Sequence, residues 1–157
     1  MTVVDVWTRR RGDRALALTI GALCNDSQLT RTPGGRWEVV GDPTEAALVE
    51  IARKEGLDKN ELEAAMPRRG ELPFDSERKL MSTIHPQPGG GYRVMVKGAP
   101  DVLLRRCAMG EAERRRALSA NESMAGRALR VLGVFAGTGL VIGVGGSVLA
   151  IRKFLQV

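Results

Sequence analysis

The chain has 157 residues, 43% of them hydrophobic, which is enough for one domain with its own core. Its formal net charge of +6 attracts phosphate groups, but it does not distinguish a nucleotide from a nucleic acid or an anionic lipid. Two cysteines and one histidine cannot supply the ligand spacing of a zinc site, and they favour reduced thiols in a cytosolic compartment.

The first part of the chain is predicted to begin with a strand and a buried helix. Alternating valines predict a strand at residues 1–8, and no basic segment precedes an apolar one, so a signal peptide is not indicated. After a loop at 9–13, an apolar run without β-branched clusters predicts a buried helix at 15–23. A turn-rich loop at 30–35 then leads into a short strand at 36–40.

The clearest helix signal follows that strand. Asp42 is a natural N-cap, Pro43 fits the first helical position, and Glu45 stands at the third, where it could also complete a capping box. The helix is predicted to end at Gly56, since glycine commonly follows the last helical residue. A second, shorter helix is predicted to start after Asp58 and to stop before Pro67.

The second half is predicted to add four strands and two helices. The strands are expected at 70–74, 79–85, 92–97 and 129–135, and the helices at 100–107 and 111–127. The second and third of these strands should form a hairpin. The chain is therefore predicted to have an α/β (α+β) fold, with a twisted, mainly antiparallel sheet of about six strands flanked by helices.

The C-terminal segment allows two interpretations. Residues 131–151 carry no charge and are flanked by basic residues, which by length fits a membrane span. Six of these residues are glycine, however, and 136–139 is predicted to be a turn between two short β-runs. The chain is accordingly divided into a domain at 1–135 and an apolar tail of undetermined structure at 136–157.

Two segments carry most of the chemical signal. Phe74 stands among charged residues, and is either a core residue at a strand end or a surface on which a base stacks. Residues 97–100, Lys-Gly-Ala-Pro, predict a strand end, a close backbone approach and a helix start that favours a phosphate. The same run is also an ordinary strand–helix connection. Neither a Walker-type loop nor a Rossmann glycine fingerprint is present.

Together these segments resemble the nucleotide-binding (N) domain of P-type ATPases, of the type II group that pumps Ca²⁺ and related cations. Residues 41–48 match the family signature Gly-Asp-x-Thr-Glu-x-Ala-Leu, and 73–82 with 97–99 match its paired nucleotide segments. Three further stretches are similar to parts of the family. Residues 1–7 resemble the strand after the phosphorylation motif, and residues 22–26 resemble the first N-domain helix. Residues 127–132 resemble the segment that returns toward the phosphorylation domain. The resemblance covers roughly residues 1–135.

The resemblance implies roles for individual residues around the adenine base. Phe74 would stack on adenine, and Glu45 would accept a hydrogen bond from the adenine amino group. Lys79 and Lys97 would line the adenine pocket and steer the phosphates.

Further roles follow for the backbone and for the phosphate end of the nucleotide. Gly98 and Ala99 would allow close backbone approach, and Arg130 would meet the phosphates. Ser76 stands where many relatives carry a basic residue that contacts phosphate, which places that contact in question.

The resemblance also implies a function and a set of partners. The domain would bind ATP, position its γ-phosphate for transfer to an aspartate on a phosphorylation domain, and release ADP. The sequence contains no Asp-Lys-Thr-Gly-Thr motif and none of the family's Mg²⁺-holding segments. The chain is therefore expected to be a monomeric part of an ATP-hydrolysing cation translocase, at the cytoplasmic face of a membrane. Phosphorylation and actuator domains would be its partners, and Mg²⁺ would be held mainly by the former.

An alternative from another class is a basic, non-catalytic interaction module, tethered directly to a membrane through residues 131–151. Nucleic acid is not expected as a partner, because no basic stripe interleaved with aromatic residues is present. The transported cation is not determined, since the family's ion ligands lie in membrane helices.

Overall fold

The computed structural model describes residues 2–127 and 130–139. Within this part of the chain, five α-helices and six β-strands are arranged in two compact units, the first ending at Pro67 and the second beginning at Arg68. All strand pairs are antiparallel, which confirms the predicted α+β class. The six strands are divided between a two-stranded and a four-stranded sheet rather than joined in one.

The first unit packs three helices beside a hairpin. Its elements are a 3-10 turn at Arg11–Asp13, α1 at Arg14–Leu23, β1 at Gln28–Arg31, β2 at Trp37–Val40, α2 at Pro43–Lys54 and α3 at Lys59–Ala65. Helix α1 packs against both α2 and α3. Their shared core is built on Leu18, Ala22 and Ala52, which are almost completely buried.

The helix ends of the first unit follow the predicted capping chemistry. The Asp42 side chain accepts hydrogen bonds from the backbone N–H groups of Thr44 and Glu45, and Pro43 opens α2. Asp58 caps α3 in the same way. Gly56 follows α2 with φ of 82°, a left-handed conformation that glycine adopts without steric strain. Both helix predictions are confirmed.

The strands of the first unit are predicted less well. Residues 2–8 form neither helix nor strand, so the strand predicted there is wrong. The alternation does not describe a buried face, because Val4 and Trp7 are both exposed. Strand β1 was not predicted, although it pairs along its whole length with β2 and brings Leu29 opposite Val39. The turn at Arg11–Asp13 replaces part of a predicted loop.

The second unit is a four-stranded sheet with two helices. Its elements are β3 at Gly70–Asp75, β4 at Leu80–Pro86, β5 at Tyr92–Gly98, α4 at Pro100–Arg106, α5 at Glu111–Gly126 and β6 at Gly133–Gly139. The strand order is β3-β4-β5-β6, and β4 and β5 form the predicted hairpin. Leu103 of α4 packs on one sheet face against Leu80 and Val96.

The last strand differs from its prediction. It begins at Gly133 instead of 129 and continues to Gly139, so the turn predicted at 136–139 is wrong. Backbone pairing with β5 is continuous, from Gly98 opposite Gly133 to Tyr92 opposite Gly139. In the described ranges, no helix has the length and hydropathy needed to cross a bilayer. Residues 140–157, most of the predicted tail and of the proposed span, lie outside the described residues.

Candidate functional site

Four of the seven predicted site residues meet at one end of the four-stranded sheet, where β4 begins and β5 ends. They are Lys79, Lys97, Gly98 and Ala99, and we call them the β4–β5 corner. Leu80 pairs with Gly98 across the two strands, and the N–H of Ala99 donates to the carbonyl oxygen of Lys79 at 3.1 Å. Backbone hydrogen bonding thus holds the lysine of the 73–82 motif beside the Lys-Gly-Ala run.

Gly98 has a packing reason to be glycine. A Cβ atom at this position would lie 2.1 Å from the carbonyl oxygen of Lys79 and 3.0 Å from Cα of Leu80. Both are backbone atoms, which cannot rotate away as a side chain can. The close approach at Gly98 is therefore one between β4 and β5, and its use by a ligand stays a prediction.

Lys79 has an unusual backbone conformation. Its φ is 55°, the only positive φ of a non-glycine residue in the part of the chain that the structure describes. Its N–H donates to the carbonyl oxygen of Asp75 at 2.7 Å, and its own carbonyl oxygen is held by Ala99. The left-handed region is unfavourable for residues with a Cβ atom, and such strain is often found at functional sites. The side chain of Lys79 is exposed.

Lys97 differs from Lys79 in its surroundings. Its side chain is only 5% exposed, and it lies opposite Met81 of β4. Successive residues of a strand point to opposite faces, so Lys97 lies on the face away from Val96 and from α4. Of the two predicted lysines, only Lys79 presents its side chain freely to solvent.

Phe74 lies near the end of β3 and is 63% exposed, so it is not a core residue. The pairing of β3 with β4 shifts register here: Leu72 is opposite Ser82, whereas Asp75 is opposite Leu80. Two residues of β3 therefore face one residue of β4, which is a β-bulge. The bulge lies at the level of Met81, whose partner on the other side is Lys97, and this places Phe74 at the same end of the sheet as the β4–β5 corner.

Asp75 and Arg78, which were not predicted as site residues, hold the turn after Phe74. The Asp75 side chain accepts hydrogen bonds from the N–H groups of Glu77 and Arg78, at 3.0 and 2.7 Å. The Arg78 guanidinium donates to the carbonyl oxygen of Pro73 at 2.7 Å. An aspartate that begins a short polar turn is a known signal for the first of these bonds, but no sequence signal indicates the second.

Arg130 precedes β6 and is exposed. It stands three residues before Gly133, which pairs with Gly98, so the chain returns to the end of the sheet that carries the corner.

Glu45 belongs to the first unit, in the first turn of α2. Its side-chain Oε2 accepts a hydrogen bond from the N–H of Asp26 at 2.9 Å, and its carbonyl oxygen accepts one from the Asn25 side chain at 2.9 Å. The carboxylate is thus oriented by Asp26 and the backbone is held by Asn25, both in the 22–26 motif, a relation that no sequence pattern predicted.

Among the residues that the structure describes, three groups have shifted pKa values, Arg14, Glu55 and Cys107, and all of them lie outside the corner. Burial raises the pKa of the Cys107 thiol, while the charge of Arg114 acts in the opposite direction. The thiol is therefore protonated at neutral pH and is a poor nucleophile. A hydrogen bond from Arg14 lowers the pKa of Glu55 in an exposed ion pair.

Comparison with known proteins gives consistent matches. The family model described as P-type ATPase, cytoplasmic domain N, matches residues 15–138. "Probable cation-transporting ATPase F" of Mycobacterium tuberculosis is 37% identical over 131 residues, which is 78% of this chain and 14% of that protein. "Calcium-transporting ATPase 1" of Lactococcus lactis is 42% identical over 117 residues, 68% of this chain and 13% of that protein.

A fungal relative extends the range of named cations. "Sodium/potassium exporting P-type ATPase cta3" of Schizosaccharomyces pombe is 37% identical over 117 residues, which is 71% of this chain and 11% of that protein. The chain thus spans between about a tenth and a seventh of the length of these curated relatives.

Proposed function

The chain belongs to the family of P-type ATPase cytoplasmic N domains, and on that premise we propose that it binds ATP and positions the γ-phosphate for transfer. The acceptor would be an aspartate on the phosphorylation domain of a cation pump. The observation that carries the proposal is an exposed aromatic ring, Phe74, held at the end of the sheet that also carries the β4–β5 corner.

Stacking on Phe74 would supply much of the binding energy for the base. A solvent-exposed aromatic side chain offers a π-face to a purine, and such a contact contributes ~1–3 kcal/mol per base. The bulge in β3 supports this role, because bulges redirect side chains next to functional sites.

The cationic residues would attract the polyphosphate. The side chain of Lys79 is exposed, and its backbone is held by hydrogen bonds to Asp75 and from Ala99. Arg130 adds a second exposed charge at the same end of the sheet. Charge-assisted hydrogen bonds to phosphate are roughly twice as strong as neutral ones. Lys97, Gly98 and Ala99 would form the wall behind the nucleotide.

For Glu45, the proposed hydrogen bond from the adenine amino group rests on the family resemblance and on the fixed orientation of its carboxylate. An ionised carboxylate can only accept, and the amino group of adenine donates, so the chemistry is complementary.

Within this proposal the domain contributes positioning rather than bond breaking. The phosphorylation domain would provide the aspartate and most of the Mg²⁺ ligands, and the actuator domain would complete the pump at the cytoplasmic face of its membrane. One stacked ring and a few charged hydrogen bonds, less the cost of association, suggest a Kd of ~0.1–5 mM for ATP. Weak binding suits the cycle, because ADP must leave after each transfer.

The first test removes the stacking surface. We expect Phe74→Ala to weaken ATP binding ~10-fold, which corresponds to the loss of one stacking contact. The measurement is a titration of backbone amide chemical shifts with ATP. Tyr92→Ala is the matched control, since Tyr92 is an exposed aromatic residue at the other end of the same sheet. Superimposable titration curves for Phe74→Ala and the parent chain would show that the ring is not in the site. A parent chain that does not respond to ATP would favour a non-catalytic interaction module.

A second test separates charge from backbone strain at Lys79. We expect Lys79→Ala and Lys79→Gly to weaken ATP binding equally, by ~5-fold, because each removes the same ammonium. We expect Lys79→Gly to be more stable than Lys79→Ala by ~1 kcal/mol, since only glycine accepts φ near 55° without strain. Urea unfolding gives the stability difference. Equal midpoints would mean that the conformation is not strained, and unchanged ATP binding would remove Lys79 from the site.

A further inference from the structure

We propose that Arg78 is a positioning residue for Phe74: it holds the peptide group that leads into Phe74 and so keeps the ring ready to stack. The inference rests on the proposed ATP-binding function and adds a residue that acts through Phe74 without touching the nucleotide. It is carried by one hydrogen bond, from Nη2 of Arg78 to the carbonyl oxygen of Pro73 at 2.7 Å.

The bond acts on the backbone of Phe74 directly. The carbonyl group of Pro73 and the N and Cα atoms of Phe74 belong to one planar peptide unit. A donor that fixes the oxygen therefore fixes the plane from which the Phe74 side chain departs. A hydrogen bond from a guanidinium is among the stronger ones available, because its donor is charged.

The sheet itself holds the backbone next to this peptide poorly. The preceding peptide unit ends at the nitrogen of Pro73 and has no N–H to give to β4, and the register shift between Leu72 and Asp75 interrupts the regular pairing at this point. Without another partner, the exposed ring of Phe74 would sit on a locally unsupported backbone. Arg78 supplies that partner from across the turn.

The turn at residues 75–79 fixes the backbone of Arg78. Its N–H donates to the side chain of Asp75 at 2.7 Å, and the N–H of the next residue, Lys79, donates to the Asp75 carbonyl oxygen at 2.7 Å. The Arg78 side chain is half-buried and lines a small depression with Leu80 and Val96. The turn therefore fixes the backbone of Arg78, and the apolar sheet face restricts the conformations of its side chain.

A constrained ring binds better than a mobile one, since less conformational freedom is lost when it stacks. We expect Arg78→Ala to weaken ATP binding by about three- to fivefold, less than the loss of the ring itself. Arg78→Lys should restore part of the affinity, because an ammonium also donates to a carbonyl. Arg93→Ala, which removes the same charge from β5 at the far end of the sheet, should leave the Kd unchanged.

A double-mutant cycle with ATP and amide-shift titration tests the proposal. If Arg78 acts through Phe74, adding Arg78→Ala to Phe74→Ala changes the Kd by less than about twofold, because the two effects are not additive. The dependence of Kd on salt should also be the same for Arg78→Ala and the Arg93→Ala control. Additive losses, or a weaker salt dependence for Arg78→Ala alone, would show that Arg78 contacts the phosphates and would overturn the proposal.

The outcomes also separate this inference from the proposed function. A parent chain that binds no ATP refutes the function itself. A parent chain that binds ATP and is weakened by Phe74→Ala, but not by Arg78→Ala, refutes only the role of Arg78. Asp75→Ala is an independent second variant, because it removes the side-chain acceptor that holds the turn. Asp75→Ala should lower the affinity for ATP if the proposal holds, and Asp75→Asn, which keeps an acceptor oxygen, is its comparison. An unchanged Kd for both variants would count against the proposal.

Discussion

Gly98→Ala is expected to lower the free energy of unfolding of the second unit by about 3 kcal/mol or more and to abolish measurable ATP binding. The new Cβ would lie 2.1 Å from the carbonyl oxygen of Lys79 and 2.7 Å from Cδ2 of Leu80. Relief requires β4 and β5 to separate at the point where Leu80 pairs with Gly98. The same movement would break the hydrogen bond from Ala99 to Lys79 and displace the β4–β5 corner.

The matched control for this variant is Gly70→Ala. Gly70 is also a strand residue of the four-stranded sheet, but a Cβ there would meet only the Ile84 side chain, at 3.5 Å, an ordinary van der Waals contact. We expect its stability to stay within ~1 kcal/mol of the parent chain. Urea unfolding followed by circular dichroism compares the two. Equal midpoints for Gly98→Ala and Gly70→Ala would show that the corner adapts to a side chain.

The second large effect is expected in the first unit, at Lys59. Its side chain is only 3% exposed, and its ammonium donates to the carbonyl oxygens of Ala22 and Asn25 at 2.8 and 2.9 Å and pairs with Glu63 at 3.0 Å. Lys59→Met keeps most of the apolar stem but removes all three donors. Two carbonyl groups near the end of α1 then lose a buried partner, and a favourable charge at a helix C-terminus is lost. We expect a loss of ~2–4 kcal/mol.

Lys54→Met is the matched control for Lys59→Met. Lys54 also pairs with a glutamate four residues away, Glu50 at 3.3 Å, but both side chains are about half exposed. Exposed pairs contribute little, so the loss should be below ~0.5 kcal/mol. The measurement is the unfolding midpoint, together with hydrogen exchange of the amides around Asn25. A loss at Lys59 no larger than at Lys54 would show that water replaces the buried ammonium.

Helices were predicted well because their signals are local. Asp42, Pro43 and Gly56 define α2 through hydrogen bonds and backbone angles within a few residues of each other. The apolar run of α1 likewise lacks any competing strand signal. These features depend on chain neighbours, so a single sequence contains nearly all of the information needed to place the helices.

Strands were predicted less well because a strand needs a partner that is distant in the chain. Alternation at residues 2–8 predicts a strand that does not form, whereas β1 exists through its pairing with β2. Strand β6 extends through a glycine-rich stretch predicted to turn, since its backbone pairs with all of β5. Pairing of this kind overrides local preference.

The amino-acid sequence by itself determined the α+β class, the capped helices, the family resemblance and the residue types proposed to meet a nucleotide. Only the tertiary structure decided that Phe74 is exposed, that Gly98 is required by the backbone of Lys79, and that Arg78 holds the peptide before Phe74. The physical reason is the range of the interactions. Helix caps join residues that are neighbours in the chain, and composition is read from the sequence directly. Exposure, close packing and the Arg78 hydrogen bond depend on how strands and turns meet in space.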